Sequence, residues 1–425
     1  MFKNVLNSLK LPEVRKRFLF TFLVFLVIQL GHYIIVPGIN RNVISDIVSQ
    51  SGFLGLLDLF SGGGYRNFSV LSLGVLPYIN ASIILQLLQV VIPSLEKLVK
   101  EGGEEGRRKI AKYTNWLTLG LGLLQSYMFT NFVFKDALTD QSILTKLVVI
   151  VSLVAGGFLL IWLGEMVTEK GIGNGVSLII FVGIIGRIPL SFTEATQMLK
   201  GGSLSYSALF FALIVSLVAL MGIIFVYQAE RRIAVQYSKR IVGRRMYGGQ
   251  STYIPLKLVQ AGVLPIIFAS SVLTFPGIIS QFLPGTPFAV FVTKYLTTQG
   301  SPVFNIGFFL LVVFFTYFYT SITYNPADLA DNLQKYGGFV PGVRPGKITA
   351  DYIQAIISRI TFPASIFLAA LAVLPNFLLT KTNLSIFYFG GTSILIMIGV
   401  VIETANQLEA FLVMRQYKGF LKGWE

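Results

Sequence analysis

The chain has 425 residues, of which 54% are hydrophobic and only 12% are charged. Soluble domains carry about 25% charged residues, so much of this protein's surface faces something other than water. There is no cysteine, and His32 is the single histidine, which excludes disulfides, thiolate metal sites and histidine-rich metal sites. We therefore expect a membrane protein without a metal or other cofactor.

Apolar runs of about 18 or more residues predict helices that cross a membrane. Ten such runs follow one another along the chain, at 18–36, 68–92, 113–134, 145–164, 172–190, 204–227, 261–283, 303–323, 353–379 and 384–402. The fifth is the weakest, because it follows Gly171, Gly173 and Gly175. The pattern predicts an all-α polytopic membrane protein with ten transmembrane helices.

The placement of lysine and arginine predicts how these helices are oriented. With the N-terminus inside, the inner segments hold 26 of the 34 basic residues and the outer segments hold 8. Because basic residues concentrate in cytoplasmic loops, we expect both termini to be cytoplasmic.

Two of the runs contain an internal repeat. Residues 76–85 match residues 264–273 at six of ten positions, including a proline, an alanine and a serine. The repeats lie in runs two and seven, an odd number of spans apart, so the two copies run in opposite directions across the membrane. Proline in both copies breaks a helix at equivalent depth, and broken helices usually line a cavity. The repeat predicts two inverted, pseudo-symmetric halves.

Charged residues inside the predicted spans would distinguish a transporter or an enzyme from other classes of membrane protein. Ion-coupled transporters usually keep carboxylates, histidine or lysine at membrane depth, and a membrane enzyme needs paired carboxylates, a histidine or a nucleophile with its base. The interior of these spans is almost free of such groups. This pattern argues against an ion-coupled transporter and against an enzyme, and a secondary solute or ion transporter built from inverted repeats is kept as the alternative function.

The apolar segment 53–60 is too short to cross a membrane and is followed by a serine and three glycines. Two interpretations remain open. It is either a surface helix or a re-entrant element that rests in a cavity on the outer side, with the glycines as a flexible hinge.

Two loops on the predicted cytoplasmic side carry prominent basic residues. Loop 228–260 contains Arg240, Arg244 and Arg245 and has an alternating stretch typical of a projecting hairpin. Loop 324–352 displays Arg344 in a turn that prolines and glycines make rigid. These residues either serve only to orient the protein or also bind RNA phosphates or an acidic protein surface.

Four motifs in consistent order make the chain resemble the SecY family of bacterial protein-translocation channels, over nearly its whole length. They are LGVLPYI at 73–79, GE at 164–165 followed by EKGIGNG at 169–175, FVPGVRPG at 339–346, and FGGTS at 389–393.

The resemblance implies a central pore between an N-terminal half, 1–190, and a C-terminal half, 191–425. A ring of apolar side chains would constrict the pore, and the matching positions are Val75, Ile79, Ile180, Ile267 and Ile396. Segment 53–64 corresponds to the plug that closes the outer funnel, and the plug residues would be Phe53, Leu54, Leu57, Leu59 and Phe60. A lateral gate would open to lipid between spans two and seven, with Asn80, Gln125 and Ser271 as its polar residues.

The resemblance also implies partners and a location. The small membrane proteins SecE and SecG would accompany the chain in the bacterial inner membrane. The SecA ATPase or a translating ribosome, through its ribosomal RNA, would dock on Arg240, Arg244, Arg245 and Arg344. An unfolded or nascent polypeptide would be the substrate, and membrane lipid would receive its apolar segments.

Overall fold

The structure, a computed structural model, describes the greater part of the chain. The described residues are 12–40, 43, 44, 47, 54, 58, 61–202, 205–237, 240–242, 245–247, 251–260, 262–280, 283, 285–297, 301–382 and 391–422.

Ten long helices occupy the described residues, and each overlaps one of the ten predicted spans. They are α1 (Pro12–Gly31), α2 (Leu76–Val91), α3 (Gly103–Met128), α4 (Ile143–Lys170), α5 (Gly175–Lys200), α6 (Tyr206–Gln228), α7 (Leu264–Ser280), α8 (Pro302–Thr323), α9 (Lys347–Thr382) and α10 (Gly391–Lys422). By length and hydropathy alone, five described helices are able to cross a membrane, or six if α2 and the helix after it form one bent span. The count of ten spans therefore stays a prediction.

Shorter helices connect the long ones. They are Gly64–Asn67, Pro93–Lys100, the π-helical turn Phe129–Val133, the 3-10 turn Lys135–Ala137, Pro287–Tyr295 and Pro326–Lys335. The chain bends by 101° between α2 and Pro93–Lys100, because Pro93 cannot donate the backbone hydrogen bond that would continue the helix.

Local sequence explains where the helices next to the proposed pore begin. The side chain of Asn174 accepts a hydrogen bond from the backbone N–H of Ser177 and caps α5. Pro77 and Pro265 occupy the first turns of α2 and α7, where a missing N–H costs nothing. The two copies of the repeat thus begin their helices at equivalent positions.

A small sheet stands outside the helical bundle. Strands β1 (Glu230–Tyr237) and β4 (Ser251–Lys257) pair antiparallel. In the chain between them, β2 (Arg240–Val242) pairs with β3 (Arg245–Tyr247) in a separate two-stranded sheet. The predicted hairpin in loop 228–260 is therefore confirmed. Strand β5 (Gly338–Phe339) adds to the free edge of β1, so the two basic loops form one unit.

One large apolar core runs through both halves of the chain and includes buried residues of α2, α4, α5, α7, α8 and α10. Helix α2 packs directly against α7 and α3, and α7 packs against α8. A separate small core beneath the sheet joins Val235 of β1, Val340 after β5 and Ile353 of α9. The loop unit is thus anchored to the bundle through α9.

Candidate functional site

A cavity of about 520 Å³ lies between α2, α4, α5, α7 and α8. Part of its wall is polar, with Ser82, Gln86, Thr168 and Ser177 together with the carboxylates Glu165 and Glu169. The rest is mainly apolar, and includes isoleucines from three helices. The cavity therefore combines a wall that water can wet with one that it cannot.

The structure brings three of the five predicted ring residues to this cavity. Ile79 of α2, Ile180 of α5 and Ile267 of α7 all line it. Val75 and Ile396 are not part of its lining, but both are completely buried in the same apolar core. No ring residue is more than 4% exposed.

The three polar residues predicted at the gate are all buried within or beside this core. Asn80 lies on α2, Gln125 on α3 and Ser271 on α7. Among the residues that the structure describes, the Gln125 amide nitrogen and the Ser271 hydroxyl have no hydrogen-bond partner. Neither group therefore donates a hydrogen bond from α3 or α7 to a neighbouring described helix.

A different polar contact joins the two halves. The Tyr319 hydroxyl on α8 donates a hydrogen bond to the Gln86 side-chain oxygen on α2. The Tyr319 ring also packs edge-on against Phe268 of α7, with ring centroids 5.1 Å apart. Sequence reasoning missed this pair, and only the presence of a glutamine within an apolar run gave any signal for it.

Leu54 and Asp58 are the described members of segment 53–60, whereas Phe53, Leu57, Leu59 and Phe60 lie outside the described residues. Leu54 is 2% exposed and Asp58 is completely buried. Both described side chains are therefore inside the protein, which favours the re-entrant interpretation over a surface helix.

Asp58 has several partners for its buried charge. One carboxylate oxygen accepts hydrogen bonds from the backbone N–H groups of Tyr65 and Arg66, at 3.0 and 3.1 Å. The other lies 3.2 Å from the guanidinium of Arg187 on α5 and 3.6 Å from that of Arg66. Burial raises the pKa of the Asp58 carboxyl, and Arg187 is the strongest influence that lowers it again.

The glycines after this segment form a tight turn against α5. Gly62 and Gly63 have φ angles of +69° and +87°, which residues with a Cβ rarely adopt. A Cβ on Gly62 would lie 2.6 Å from the Cα of Gly183, so both positions need glycine for the backbones to approach. The predicted role of these glycines as a flexible hinge stays a prediction.

The basic residues predicted for docking lie on the loop unit. Arg240 begins β2 and Arg245 begins β3, while Arg244 lies outside the described residues. Arg344 is exposed on a turn held from inside by the buried Val340, and its carbonyl oxygen accepts a hydrogen bond from Thr349. The expected rigid display of Arg344 matches this geometry.

Comparisons with known proteins agree with the resemblance. A model of the SecY family matches residues 69–405. The protein translocase subunit SecY of Mycobacterium tuberculosis strain H37Rv is 43% identical, over 99% of this chain and 100% of its own length. SecY of Streptomyces coelicolor is also 43% identical, over 98% of this chain and 99% of its own.

Solved structures with low sequence identity share the fold. A protein-conducting channel superposes with a TM-score of 0.66 at 18% identity, covering 93% of this chain and 92% of its own. Sec61 in the canine ribosome-channel complex of the endoplasmic reticulum gives 0.62 at 16% identity, over 93% and 92%. The family match and the two SecY relatives leave the transporter alternative without support. The chain is a multi-pass membrane protein that belongs to the SecY family of pore-forming protein translocase subunits.

Proposed function

We propose that this channel subunit conducts unfolded polypeptides through a path that runs from the cavity, through the apolar ring, to segment 53–64. The observation that carries the proposal is the meeting of Ile79, Ile180 and Ile267 at one cavity, since these residues come from both halves of the chain. On α5, Ile180 is followed one and two turns later by Gly183 and Arg187, the residues that contact the turn after segment 53–60 and Asp58. Cavity, ring and plug thus follow one another along a single helix.

The proposed ring consists of Val75, Ile79, Ile180, Ile267 and Ile396. A narrow apolar passage loses its water and so stops ions. Apolar walls also make no strong directional bonds to a passing chain, so substrates of many sequences are able to slide through. Burial of all five side chains supports a closed ring in the resting protein.

The proposed lateral gate lies between α2 and α7, where the N-terminal half, 1–190, meets the C-terminal half, 191–425. These helices are in contact, and their separation would release an apolar substrate segment into lipid. Asn80, Gln125 and Ser271 are buried close to this boundary and would be rehydrated or paired on opening. The Tyr319–Gln86 hydrogen bond would break in the same movement.

None of the residues assigned above supplies energy for transport, so we propose that a partner protein drives it. We place SecA or the ribosome on the loop unit, through Arg240, Arg244, Arg245 and Arg344, because basic side chains there suit both carboxylates and RNA phosphates. SecE and SecG would pack in the membrane around the bundle. The 26 basic residues of the inner segments, against 8 outside, support cytoplasmic termini in the bacterial inner membrane.

Reconstitution tests the transport function. The chain would be placed in proteoliposomes with SecE and SecG, and supplied with SecA, ATP and an unfolded secretory substrate. We expect substrate to become protected from protease only when SecA and ATP are both present. Protection without either, or none with both, contradicts the proposed route.

Resting ion conductance tests the ring. Ile79→Ser combined with Ile267→Ser should wet the constriction and raise the conductance of the reconstituted, resting channel. The control is Leu213→Ser combined with Leu217→Ser, because both leucines are on the exposed side of α6. Equal conductance in the ring variant and the control would remove these residues from the seal.

A further inference from the structure

Asp58 is a buried charge that the proposed path does not itself require. It is completely buried and lies in a segment that is otherwise apolar. A carboxylate taken out of water is costly unless it is paired and hydrogen-bonded. One of its oxygens is occupied by two backbone N–H groups, and these belong to the short helix that follows the same turn.

The other Asp58 oxygen reaches a different part of the protein. It lies 3.2 Å from the guanidinium of Arg187, whose side chain is 13% exposed, and 3.6 Å from that of Arg66, whose side chain is 34% exposed. Arg66 lies eight residues further along the chain, in the short helix Gly64–Asn67, whereas Arg187 belongs to α5. The closer and more buried partner is therefore the one that ties the segment to the bundle.

The surface of α5 is shaped for this attachment. Ile180, Gly183 and Arg187 lie on one face, because residues three and four apart are neighbours on a helix. Gly183 lets the backbone of Gly62 approach, and Arg187 reaches Asp58 one turn further on. Seven residues of helix span about 10 Å, so this attachment lies about 10 Å from the ring residue Ile180.

We propose that the Asp58–Arg187 ion pair is a latch that holds Asp58 and the turn 61–64 against α5 in the resting channel. The inference rests on the proposed closing role of segment 53–64 and names the residues that position it. Displacement of the plug must separate the pair or expose it to water. Loss of Arg187 alone should favour release, because it leaves Asp58 buried beside a weaker and more exposed partner.

The physical chemistry of buried ion pairs predicts that three variants differ in how strongly they release the segment. Arg187→Gln should have the largest effect, since it strands a buried carboxylate. Asp58→Asn should have a smaller one, because the amide oxygen still accepts the two backbone hydrogen bonds and Arg187 is partly exposed. The double variant should lie closer to the parent than Arg187→Gln does, because replacing both members of a buried pair by neutral groups is often tolerated.

A single introduced cysteine reports release directly. The chain has no cysteine of its own, and Leu54 is 2% exposed, so Leu54→Cys should react slowly with a membrane-impermeant maleimide while the segment is docked. The reaction proceeds through the released population. In the full channel complex in proteoliposomes, we expect Arg187→Gln to accelerate it by at least about tenfold.

Three comparisons decide the result. Lys135→Gln, which removes an exposed positive charge elsewhere on the chain, should react at the parent rate. The double variant should return to within about threefold of the parent. A parent-like rate in Arg187→Gln, or a double variant as reactive as Arg187→Gln, would overturn the latch.

A further variant separates release from misfolding. If Arg187→Gln fails to assemble, Arg187→Lys keeps the charge but loses the planar fork, and it should react at an intermediate rate. The thiol readout needs no transport, so an unchanged rate refutes the latch even if the channel proves to conduct polypeptides. Conversely, an accelerated rate in a protein that transports nothing would support the latch and refute the proposed function.

Discussion

The hydrogen bond between Tyr319 and Gln86 joins α8 in the second half to α2 in the first. If these halves separate when the lateral gate opens, the bond contributes to the free energy that keeps the gate closed. Tyr319→Phe tests this contribution with little other change. The ring that packs against Phe268 is retained, and only the hydroxyl group is removed.

The size of the effect follows from where the bond lies. A neutral hydrogen bond contributes about 0.5–1.5 kcal/mol to stability in proteins, and polar contacts between membrane helices average about 0.6 kcal/mol. Gln86 and Tyr319 both line the cavity, where their groups would exchange the bond for water on opening. We therefore expect a loss of about 1 kcal/mol, which multiplies the ratio of open to closed gates by about five.

Distances between spin labels would measure that ratio. Tyr113 on α3 and Ile322 on α8 are both exposed and lie near the predicted cytoplasmic ends of helices on opposite sides of the gate. Labelled cysteines at these positions in the channel complex should show a longer-distance population that Tyr319→Phe increases. Tyr317→Phe is the matched control, because Tyr317 lies on the same helix and is 38% exposed.

A double-mutant cycle would refute the reasoning most directly. Gln86→Leu removes the acceptor, so Tyr319→Phe should cause no further opening in that background. If Tyr319→Phe opens the gate equally with and without Gln86, the hydroxyl acts through some other contact. If it leaves the distance distribution unchanged, the bond does not oppose opening.

Two further predictions concern charge. Arg344→Glu should impair SecA-driven transport more than ribosome binding, because the rigid turn suits a shaped protein site. Arg245→Glu should weaken ribosome binding and reduce the dependence of log binding constant on log salt concentration by about 0.7–0.9 per lost phosphate contact. Binding across a salt series checks both, and normal binding and transport in both variants would leave these residues a purely topological role. Acidification should reduce the resting conductance of Arg187→Gln, because the raised pKa of the buried Asp58 means that the docked state takes up a proton as the pH falls. Arg66 and Tyr65 also face this carboxyl, so the control is the same variant with Asp58→Asn, which should not respond.

Hydropathy predicted where the helices lie better than where they end. The prediction for the ninth span was 353–379, but α9 runs from Lys347 to Thr382, and α3 begins at Gly103, ten residues before its predicted span. The length of an apolar run reflects the thickness of the membrane interior. Helices continue beyond it into water where their polar side chains pair with one another. In α3, Glu105 and Lys109 form such a pair one turn apart.

Pairs of residues that are far apart in sequence could not be predicted in the same way. The hairpin of β1 and β4 was predictable because its alternation is local. Gln86 and Tyr319 are separated by 233 residues, and neither carries a charge. Asp58 and Arg187 carry opposite charges near apolar runs, which was a usable signal, but only the fold brings them together. The ring positions came from the resemblance, and burial alone would not distinguish them from the rest of the core.

Helix α5 was the weakest of the ten predicted spans, and its structure explains why. The glycines before it form the turn that leads into the helix, and Pro189 lies within the helix, where it cannot donate a backbone hydrogen bond. Lipid-facing helices need long apolar surfaces, but one face of α5 carries Ser177 and Ile180 at the cavity and Arg187 beside Asp58. A helix that lines a water-filled path must carry small and polar residues there, and each one lowers its mean hydropathy. The weakest predicted span is therefore where a pore is expected. Substitutions on this face of α5 should affect closure of the proposed ring and docking of the proposed plug together.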